Sequence, residues 1–269
     1  MWQLFWTSTK GEERKIREGQ PGEWRKIAVN VARIHDFYAK RAVEKGGIHV
    51  DAPVVLCGDK APEKIAAWTE YEVAERLPLL ELTEKSRVLE LGFGTGRITK
   101  HILETASHYV GVDYVEDFVA LAKGRADIRR TENTHFLCGS FEDLAEGRLE
   151  LPQGVLFDRF VIAGGVMMYI NDDVLKKCLA KLPALLAPSA ILYISEPIAM
   201  EKRLTLNQFY SDELAAEYSA IYRTREEYDG LFAPLYAAEF QMVRSEEFFV
   251  EDIKARQETK QWLFLLRRD

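Results

Sequence analysis

The chain has 269 residues, of which 47% are hydrophobic and 29% charged, as is usual for a soluble globular protein. A formal net charge of −7 argues against a nucleic-acid partner, because phosphate binding needs a surplus of Lys and Arg. No run is long enough to cross a membrane, and no signal peptide is apparent. Cys57, Cys138 and Cys178 lie far apart, which suits a reducing compartment. We therefore expect a cytoplasmic protein without a membrane contact or a metal site.

Residues 1–61 are predicted to form a helical extension. Apolar residues recur at helical spacing between residues 23 and 44, and a loop punctuated by Gly and Pro follows at 46–62. A second helix is predicted over about 62–77, where it begins the main domain, 62–269. We expect the extension to lie over that domain as a lid.

From residue 87 onward, strand patterns alternate with helical patterns. The strands read RVLEL, YVGVD, THFLCG, LFDRFVIA and AILYISEP. This alternation predicts an α/β fold with a Rossmann-like, doubly wound, mostly parallel seven-stranded sheet. Residues 200–237 are predicted to be a helical insertion after the fifth strand. The runs FQMVRSEEFF and KQWLFLLRR predict two late strands that add an antiparallel edge to the sheet.

The stretch VLELGFGTGR at 88–97 joins the first strand to the next helix and carries Gly92, Gly94 and Gly96. Backbone amides at such a turn bind polar groups, and glycine allows a ligand to approach closely. The dinucleotide fingerprint needs its third glycine where this chain has Arg97. Glu90, two residues before the loop, would repel a pyrophosphate but suits a cationic ligand. These features favour a sulfonium cofactor over NAD.

This pattern resembles the class I S-adenosylmethionine-dependent methyltransferases. Their first motif is matched by Glu90 to Gly96, and the acid that ends their second strand is matched by Asp113. Their third motif is matched at 139–143, with Ser140 in place of the usual Asp, and their fourth by Ala163 and the two glycines that follow it. The resemblance, which covers about 62–200, implies S-adenosylmethionine as the cofactor.

The resemblance also implies roles for individual residues. The three glycines would shape the loop around the methionine moiety, and Glu90 would orient its amino group. Asp113 would accept hydrogen bonds from the ribose hydroxyls, and Tyr114 would flank the adenine. The full set of expected cofactor-binding residues is Glu90, Gly92, Phe93, Gly94, Gly96, Arg97, Asp113, Tyr114, Ser140, Phe141, Ala163 and Gly164.

The methyl acceptor is expected to be a small molecule. Enzymes that methylate planar nitrogens of adenine or glutamine carry Asn/Asp-Pro-Pro-Tyr in the fourth motif, whereas this chain has AGGVMMYI. The insertion is rich in Tyr and Arg, which suits a polar or anionic acceptor, since Arg grips carboxylates and phosphates. The candidates for catalysis or substrate binding are His35, Tyr38, Tyr169, Glu196, Arg203, Tyr210, Tyr218, Tyr222 and Arg223.

Three alternatives stay open at this point. GRITKHIL, VDYVEDFVALAK and FLCGSFEDL resemble the protein α-N-terminal methyltransferases, although Tyr169 and Pro197 stand where those enzymes carry a His and an Asn. The chain could also be a non-catalytic scaffold that binds the cofactor and serves a partner. An NAD-dependent oxidoreductase is the third alternative, opposed by the glycine spacing. The oligomeric state is not predicted.

Overall fold

The computed structural model describes residues 27–45, 62–211, 216–249 and 258–269. The strands are β1 (Arg87–Leu91), β2 (His108–Asp113), β3 (Thr134–Cys138), β4 (Phe157–Ala163), β5 (Leu186–Ala199), β6 (Leu204–Ser211), β7 (Ala216–Tyr222), β8 (Gln241–Glu247) and β9 (Thr259–Arg267). The helices are α1 (Val31–Lys45), α2 (Pro62–Tyr71), α3 (Thr99–Thr105), α4 (Glu116–Gly124), α5 (Phe141–Ala145), α6 (Asp172–Lys181), α7 (Arg225–Leu231) and α8 (Ala233–Ala237).

Seven strands form the predicted doubly wound sheet, in the order β3-β2-β1-β4-β5-β9-β8. Neighbouring strands from β3 to β5 pair in parallel, and β9 pairs antiparallel with both β5 and β8. The predicted antiparallel pair at one edge is therefore confirmed. Since β1 and β4 lie side by side and their crossovers leave in opposite directions along the sheet, a crevice opens at their carboxyl ends, where ligands bind in such folds.

The sheet is buried on both faces, as a parallel sheet requires. One core cluster packs between the sheet and helices α5 to α8 and includes Leu89, Phe160 and Leu179. A second cluster lies on the opposite face and includes Val88 and Ile102. Strands β1 and β4 are apolar on both sides for this reason, and only the ends of the strands are free to carry polar groups.

The prediction of a helical insertion over 200–237 is wrong for its first half. Strands β6 and β7 form an antiparallel two-stranded sheet, and only α7 and α8 are helical. The run LTLNQFYS is rich in β-branched and aromatic residues, which favour strands, and β7 is buried over most of its length. Packing of β7 against neighbouring elements thus favours a strand where a helix was predicted.

The N-terminal extension is described only in part. Helix α1 begins at Val31, later than the predicted start at residue 23, and its apolar side packs on α4 and β7. The rest of the predicted lid, 1–26 and 46–61, lies outside the described residues. The predicted second helix is confirmed as α2, which continues into a π-helical turn at Glu72–Arg76. None of the described helices has the length and apolar character needed to cross a membrane.

Candidate active site

The loop after β1 is held in a shape that only glycine adopts without strain. Gly92, Gly94 and Gly96 have positive φ values of 73°, 56° and 84°. A Cβ on Gly92 would lie 2.3 Å from Val166 Cγ2, and one on Gly96 would lie 2.8 Å from Ile128 Cδ1. A Cβ on Gly94 would meet no described atom within 4 Å. The outer two glycines are thus needed for packing, and the middle one faces open space.

Asp113, at the carboxyl end of β2, is tied to this loop. Its Oδ2 accepts a hydrogen bond from the Gly94 amide at 2.8 Å, and its Oδ1 accepts one from the Val115 amide at 3.0 Å. Burial raises the pKa of the carboxyl to about 6, against the effect of these hydrogen bonds. Each oxygen keeps a second lone pair, so the carboxylate can also accept bonds from a ligand in front of Gly94.

Glu90 lies beneath the loop rather than in the open space. Its Oε2 accepts hydrogen bonds from the Tyr109 hydroxyl at 2.6 Å and from the Thr99 hydroxyl at 2.8 Å. Burial raises the pKa of this carboxyl to about 7, because two hydroxyl donors compensate only part of the lost hydration. A charge at this position would favour a cationic group above the loop.

Arg97 connects the glycine loop to α2 and β4. Its Nη2 donates to Glu72 Oε2 at 2.8 Å and to the Ala163 carbonyl at 3.3 Å. Tyr193 donates to the other oxygen of Glu72 at 3.2 Å. Glu72 and Tyr193 were not predicted as site residues. The signal that could have indicated Glu72 is the glutamate in a helix just before the glycine motif, which is too common a pattern to single out.

Three of the predicted cofactor contacts are used by the fold itself. Ser140 caps α5 in a capping box, where its hydroxyl bonds with Asp143. The Phe141 ring is buried in the core and stacks on Phe160, and Phe93 is buried beneath the loop. The expectation that these three side chains meet the cofactor is therefore corrected. The Ser140 amide is also used by the fold, because it donates to Asp143 Oδ2 at 2.9 Å.

The segment after β4 is held by Glu196. Its Oε1 accepts the amide hydrogens of Val166 and Met167 at 2.6 and 2.8 Å, and its Oε2 accepts that of Met168 at 3.3 Å. The residue is fully buried, and burial raises its pKa to about 7. The prediction that Glu196 meets the acceptor is corrected, since these bonds make it a clamp that shapes the segment starting at Ala163. A Cβ on Gly164 would meet no described atom within 4 Å.

Arg223 is also committed to the fold. It is fully buried, and its Nε and Nη2 donate to Asp172 Oδ1 at 2.9 and 2.7 Å. Its Nη1 and Nη2 donate further to the carbonyls of Met167 and Ile170. Arg203 binds the same aspartate from β6's amino-terminal side. The prediction that Arg223 grips an anionic acceptor is wrong, because its donors are spent on Asp172 and the backbone.

Aromatic side chains pack against one another between α1, the segment after β4 and β7. His35 lies edge-on to Tyr114 with ring centroids 5.4 Å apart, and Tyr38 lies 5.3 Å from Tyr169. The hydroxyls of Tyr169 and Tyr218 are hydrogen-bonded at 2.8 Å. The structure thus brings together the predicted His35, Tyr114 and Tyr169. Tyr210, by contrast, is 57% exposed on β6.

Two surface depressions lie at the opposite end of the sheet. The larger, of about 710 Å³, is lined by residues around the amino-terminal ends of β1, β2 and β4, among them Arg87, His108 and Asp158. The second, of about 360 Å³, adjoins it. Ligands of such sheets bind at the carboxyl ends of the strands, where the glycine loop lies. We therefore assign the site to the glycine loop and not to these depressions.

Comparison with known proteins relates part of the chain to methyltransferases. A family model described as a methyltransferase domain matches residues 88–189. Phosphoethanolamine N-methyltransferase 1 of Triticum aestivum is 26% identical over 126 residues, which are 46% of this chain and 24% of that protein. Malonyl-[acyl-carrier protein] O-methyltransferase of Bacillus cereus is 33% identical over 92 residues, 34% of this chain and 30% of that protein. The chain thus matches about a quarter to a third of the length of these curated relatives.

A solved structure with the same fold is a SAM-dependent methyltransferase of Leishmania major, with a TM-score of 0.57 and 18% identity. The match covers 86% of this chain and 82% of that one. The matched residues 88–189 include the glycine loop and Asp113. Residues 88–189 therefore match a methyltransferase domain, in a chain whose fold is that of a solved SAM-dependent methyltransferase.

Proposed function

We propose that this protein transfers the methyl group of S-adenosylmethionine to an oxygen or nitrogen atom of a small molecule. The observation that carries the proposal is the glycine loop, whose middle residue faces open space while its amide is fixed by Asp113. A buried carboxylate beside the open space at Gly94 fits a ribose and a methionine moiety. When bound, S-adenosylmethionine supplies an electrophilic methyl group.

In this proposal the residues around Gly94 hold the cofactor. Asp113 accepts hydrogen bonds from the ribose hydroxyls through its remaining lone pairs, and Tyr114 flanks the adenine. Glu90 acts from beneath the loop through its charge. Arg97 and Glu72 fix the loop against β4, and the backbone at Ala163 and Gly164 borders the reacting end. This assignment retains the residues that the structure leaves near the open space.

The acceptor would enter between α1 and β7. His35, which is about half exposed, and Tyr169 lie on the two sides of that entrance. One relative named above is an N-methyltransferase and the other an O-methyltransferase. Their names support small-molecule methylation but do not distinguish a nitrogen from an oxygen acceptor. A protein α-N-terminal acceptor and a non-catalytic scaffold are the competing functions.

The test combines isothermal titration with S-adenosylhomocysteine and a methyl-transfer assay. Gly94→Val should abolish binding, because its side chain would fill the open space. Gly147→Val is a matched control, since Gly147 also has a positive φ and open space but lies after α5. Normal binding in Gly94→Val would refute the cofactor site. Binding without turnover on any acceptor would favour the scaffold.

A further inference from the structure

Two peptide groups of the glycine loop are hydrogen-bonded at both of their ends. The peptide group that precedes Gly94 donates through its N–H to Asp113 Oδ2 at 2.8 Å, and its carbonyl accepts a bond from the Gly96 amide at 2.9 Å. The carbonyl of the peptide group that precedes Gly96, which belongs to Thr95, accepts a bond from Arg125 Nη1 at 3.1 Å. An unbroken chain of hydrogen bonds therefore connects Asp113 with Arg125 through the loop.

Arg125 is held in a fixed orientation at the far end of this chain of hydrogen bonds. It is the first residue after α4, and its side chain is only 3% exposed. Its Nε donates to Asp127 Oδ1 at 2.8 Å, and its Nη2 donates to the other oxygen of the same carboxylate. Two bonds to one carboxylate fix the plane of the guanidinium, which directs Nη1 at the Thr95 carbonyl.

The segment that carries Arg125 also packs against the loop. A Cβ on Gly96 would lie 3.8 Å from Arg125 Cδ and 2.8 Å from Ile128 Cδ1. At its other end, α4 begins directly after Val115, whose amide donates to Asp113 Oδ1. Helix α4 thus begins beside the acid of the candidate site and ends at the arginine that holds the glycine loop.

The charge of Arg125 has an effect that a neutral donor would not have. A cation bound to a carbonyl polarises that peptide group, and each hydrogen bond in a chain strengthens the next. The last bond of this chain runs from the Gly94 amide to Asp113, and it opposes the rise that burial causes in the pKa of this carboxyl. A stronger bond from Gly94 favours the ionised carboxylate, which is the form that accepts hydrogen bonds from a ribose.

We propose that Arg125 is a positioning residue for the cofactor, which fixes the peptide groups of the glycine loop and strengthens, through them, the hydrogen bond from Gly94 to Asp113. This inference rests on the proposed function. Arg125 acts through the loop, and Asp127 keeps its guanidinium in place. The bond to Arg125 lowers the pKa of Asp127 to about 2, so this carboxylate stays ionised in neutral and mildly acidic solution.

The test is isothermal titration of S-adenosylhomocysteine between about pH 5 and pH 8. Arg125→Met keeps an apolar chain against Gly96 but removes the charge and the donors. We expect the affinity at about pH 8 to fall by about 5-fold or more, because a charge-assisted bond is lost. The pH midpoint of the affinity profile, about 6 in the unaltered protein, should rise by about half a unit. A loop that is merely loosened would lower the affinity at every pH without moving this midpoint.

Three further variants serve as controls. Arg129→Met removes the same charge from the same segment, but Arg129 is exposed and donates to the Glu104 carbonyl, so affinity and midpoint should stay unchanged. Arg125→Lys keeps the charge and a donor for the loop, and its midpoint should lie between those of Arg125→Met and the unaltered protein. Asp127→Asn removes the group that orients the guanidinium and should raise the midpoint by a smaller amount. Tm shows which variants are folded.

Other titratable groups also face Asp113 from neighbouring elements. They are His35 of α1, Tyr109 of β2, Tyr114 and Cys138 of β3. A protonated His35 favours the ionised carboxylate, so the profiles are measured again in His35→Asn. The difference in midpoint that Arg125→Met causes should persist in this background, since His35 does not belong to the chain of hydrogen bonds.

The outcomes separate this inference from the proposed function. An unmoved midpoint in a folded Arg125→Met would overturn the role of Arg125 and leave the cofactor site standing. If Arg125→Met does not fold, an unmoved midpoint in both Arg125→Lys and Asp127→Asn would overturn it equally. A midpoint that moves as far in Arg129→Met would show that only the total charge matters, which also contradicts the inference. Failure of the unaltered protein to bind S-adenosylhomocysteine would instead refute the proposed function, and this inference with it.

Discussion

At the scale of single residues, burial sets the chemistry of the acids around the site. Glu90, Asp113 and Glu196 are each almost fully buried, and burial raises their pKa values to about 7, 6 and 7. Raised pKa values of this kind occur at functional sites, and they also occur where a buried acid such as Glu196 holds backbone amides. Asp113 differs from the other two because it lies beside the open space at Gly94.

The raised pKa of Asp113 predicts pH-dependent cofactor binding. The ionised carboxylate accepts hydrogen bonds from hydroxyls, so affinity for S-adenosylhomocysteine should be full above about pH 7 and fall as the pH drops through about 6. At about pH 5 only roughly a tenth of the carboxyl is ionised, which corresponds to a loss of about 10-fold. Isothermal titration across this range measures the effect.

The control for this prediction is Asp113→Asn, which should bind more weakly and show little change between the same pH values. The stability of the unliganded protein should depend on pH in the opposite sense. Because burial raises the pKa of Asp113 in the folded protein to about 6, above the ordinary value of 3.8, its contribution to stability is full below about pH 4 and is lost as the pH rises through about 6. Affinity that is constant from about pH 8 to about pH 5 would contradict the assignment.

Arg223 is predicted to matter for stability rather than for the acceptor. Arg223→Ala would leave Asp172 without one of its two cationic partners and free two buried carbonyls, so the free energy of unfolding should fall by about 3 to 5 kcal/mol. Urea denaturation measures this loss. Arg225→Ala, an exposed neighbour, should change stability by less than about 0.5 kcal/mol. A fully stable Arg223→Ala with reduced turnover would restore the original substrate role.

At the scale of elements, the two loops of the site are packed against each other. Gly92 lies against Val166 in the segment that Glu196 holds, so the cofactor loop and the loop after β4 share one contact. Both loops must therefore take their shapes together. This coupling explains why the first motif carries a glycine at a position that faces the protein and not the ligand.

Gly92→Ala should destabilise the protein by about 1 to 3 kcal/mol, because its Cβ would lie 2.3 Å from Val166 Cγ2 and its φ is positive. In Gly92→Ala/Val166→Ala the blocking methyl is gone, so the double variant should lose less than the sum of the single variants. Chemical denaturation of all three measures the coupling. Strictly additive losses would show that the contact is not rigid.

The insertion shows where sequence patterns fail. It was predicted to be helical, yet β6 and β7 lie between residues 204 and 222. In β7 the buried side chains include Ala220 and Ile221, and they pack against parts of the molecule distant in sequence. The pattern of a short run such as this is compatible with a helix or with a strand. The residues that pack against it determine which of the two forms.

At the scale of the whole molecule, α1 covers the site from outside the sheet. Ile34 is buried in one cluster with Phe118 of α4 and Ile221 of β7, and His35 lies on the same helix beside Tyr114. The helix thus joins the cofactor-binding half of the sheet to the insertion. We propose that this packing helps to retain the cofactor.

Ile34→Asp should therefore loosen α1. Burying a charge in an apolar cluster should cost about 2 to 5 kcal/mol, and S-adenosylhomocysteine affinity should fall because the cover of the site is lost. Val43→Asp is the matched control, since Val43 is 73% exposed on the same helix. Thermal unfolding and isothermal titration provide the two measurements. Equal effects of the two substitutions would show that α1 is not a specific cover.

The mostly parallel sheet with its antiparallel edge and the glycine loop could be predicted from the sequence. These features depend on local patterns: alternating strands and helices, glycines at positions of positive φ, and an acid at a strand end. The contacts of Arg223, Glu196, Ser140 and Phe141 became known from the tertiary structure, and so did the strands of the insertion. The residue type alone does not distinguish a buried structural Arg from an Arg that binds substrate. What separates them is whether a partner such as Asp172, distant along the chain, takes up the hydrogen-bond donors.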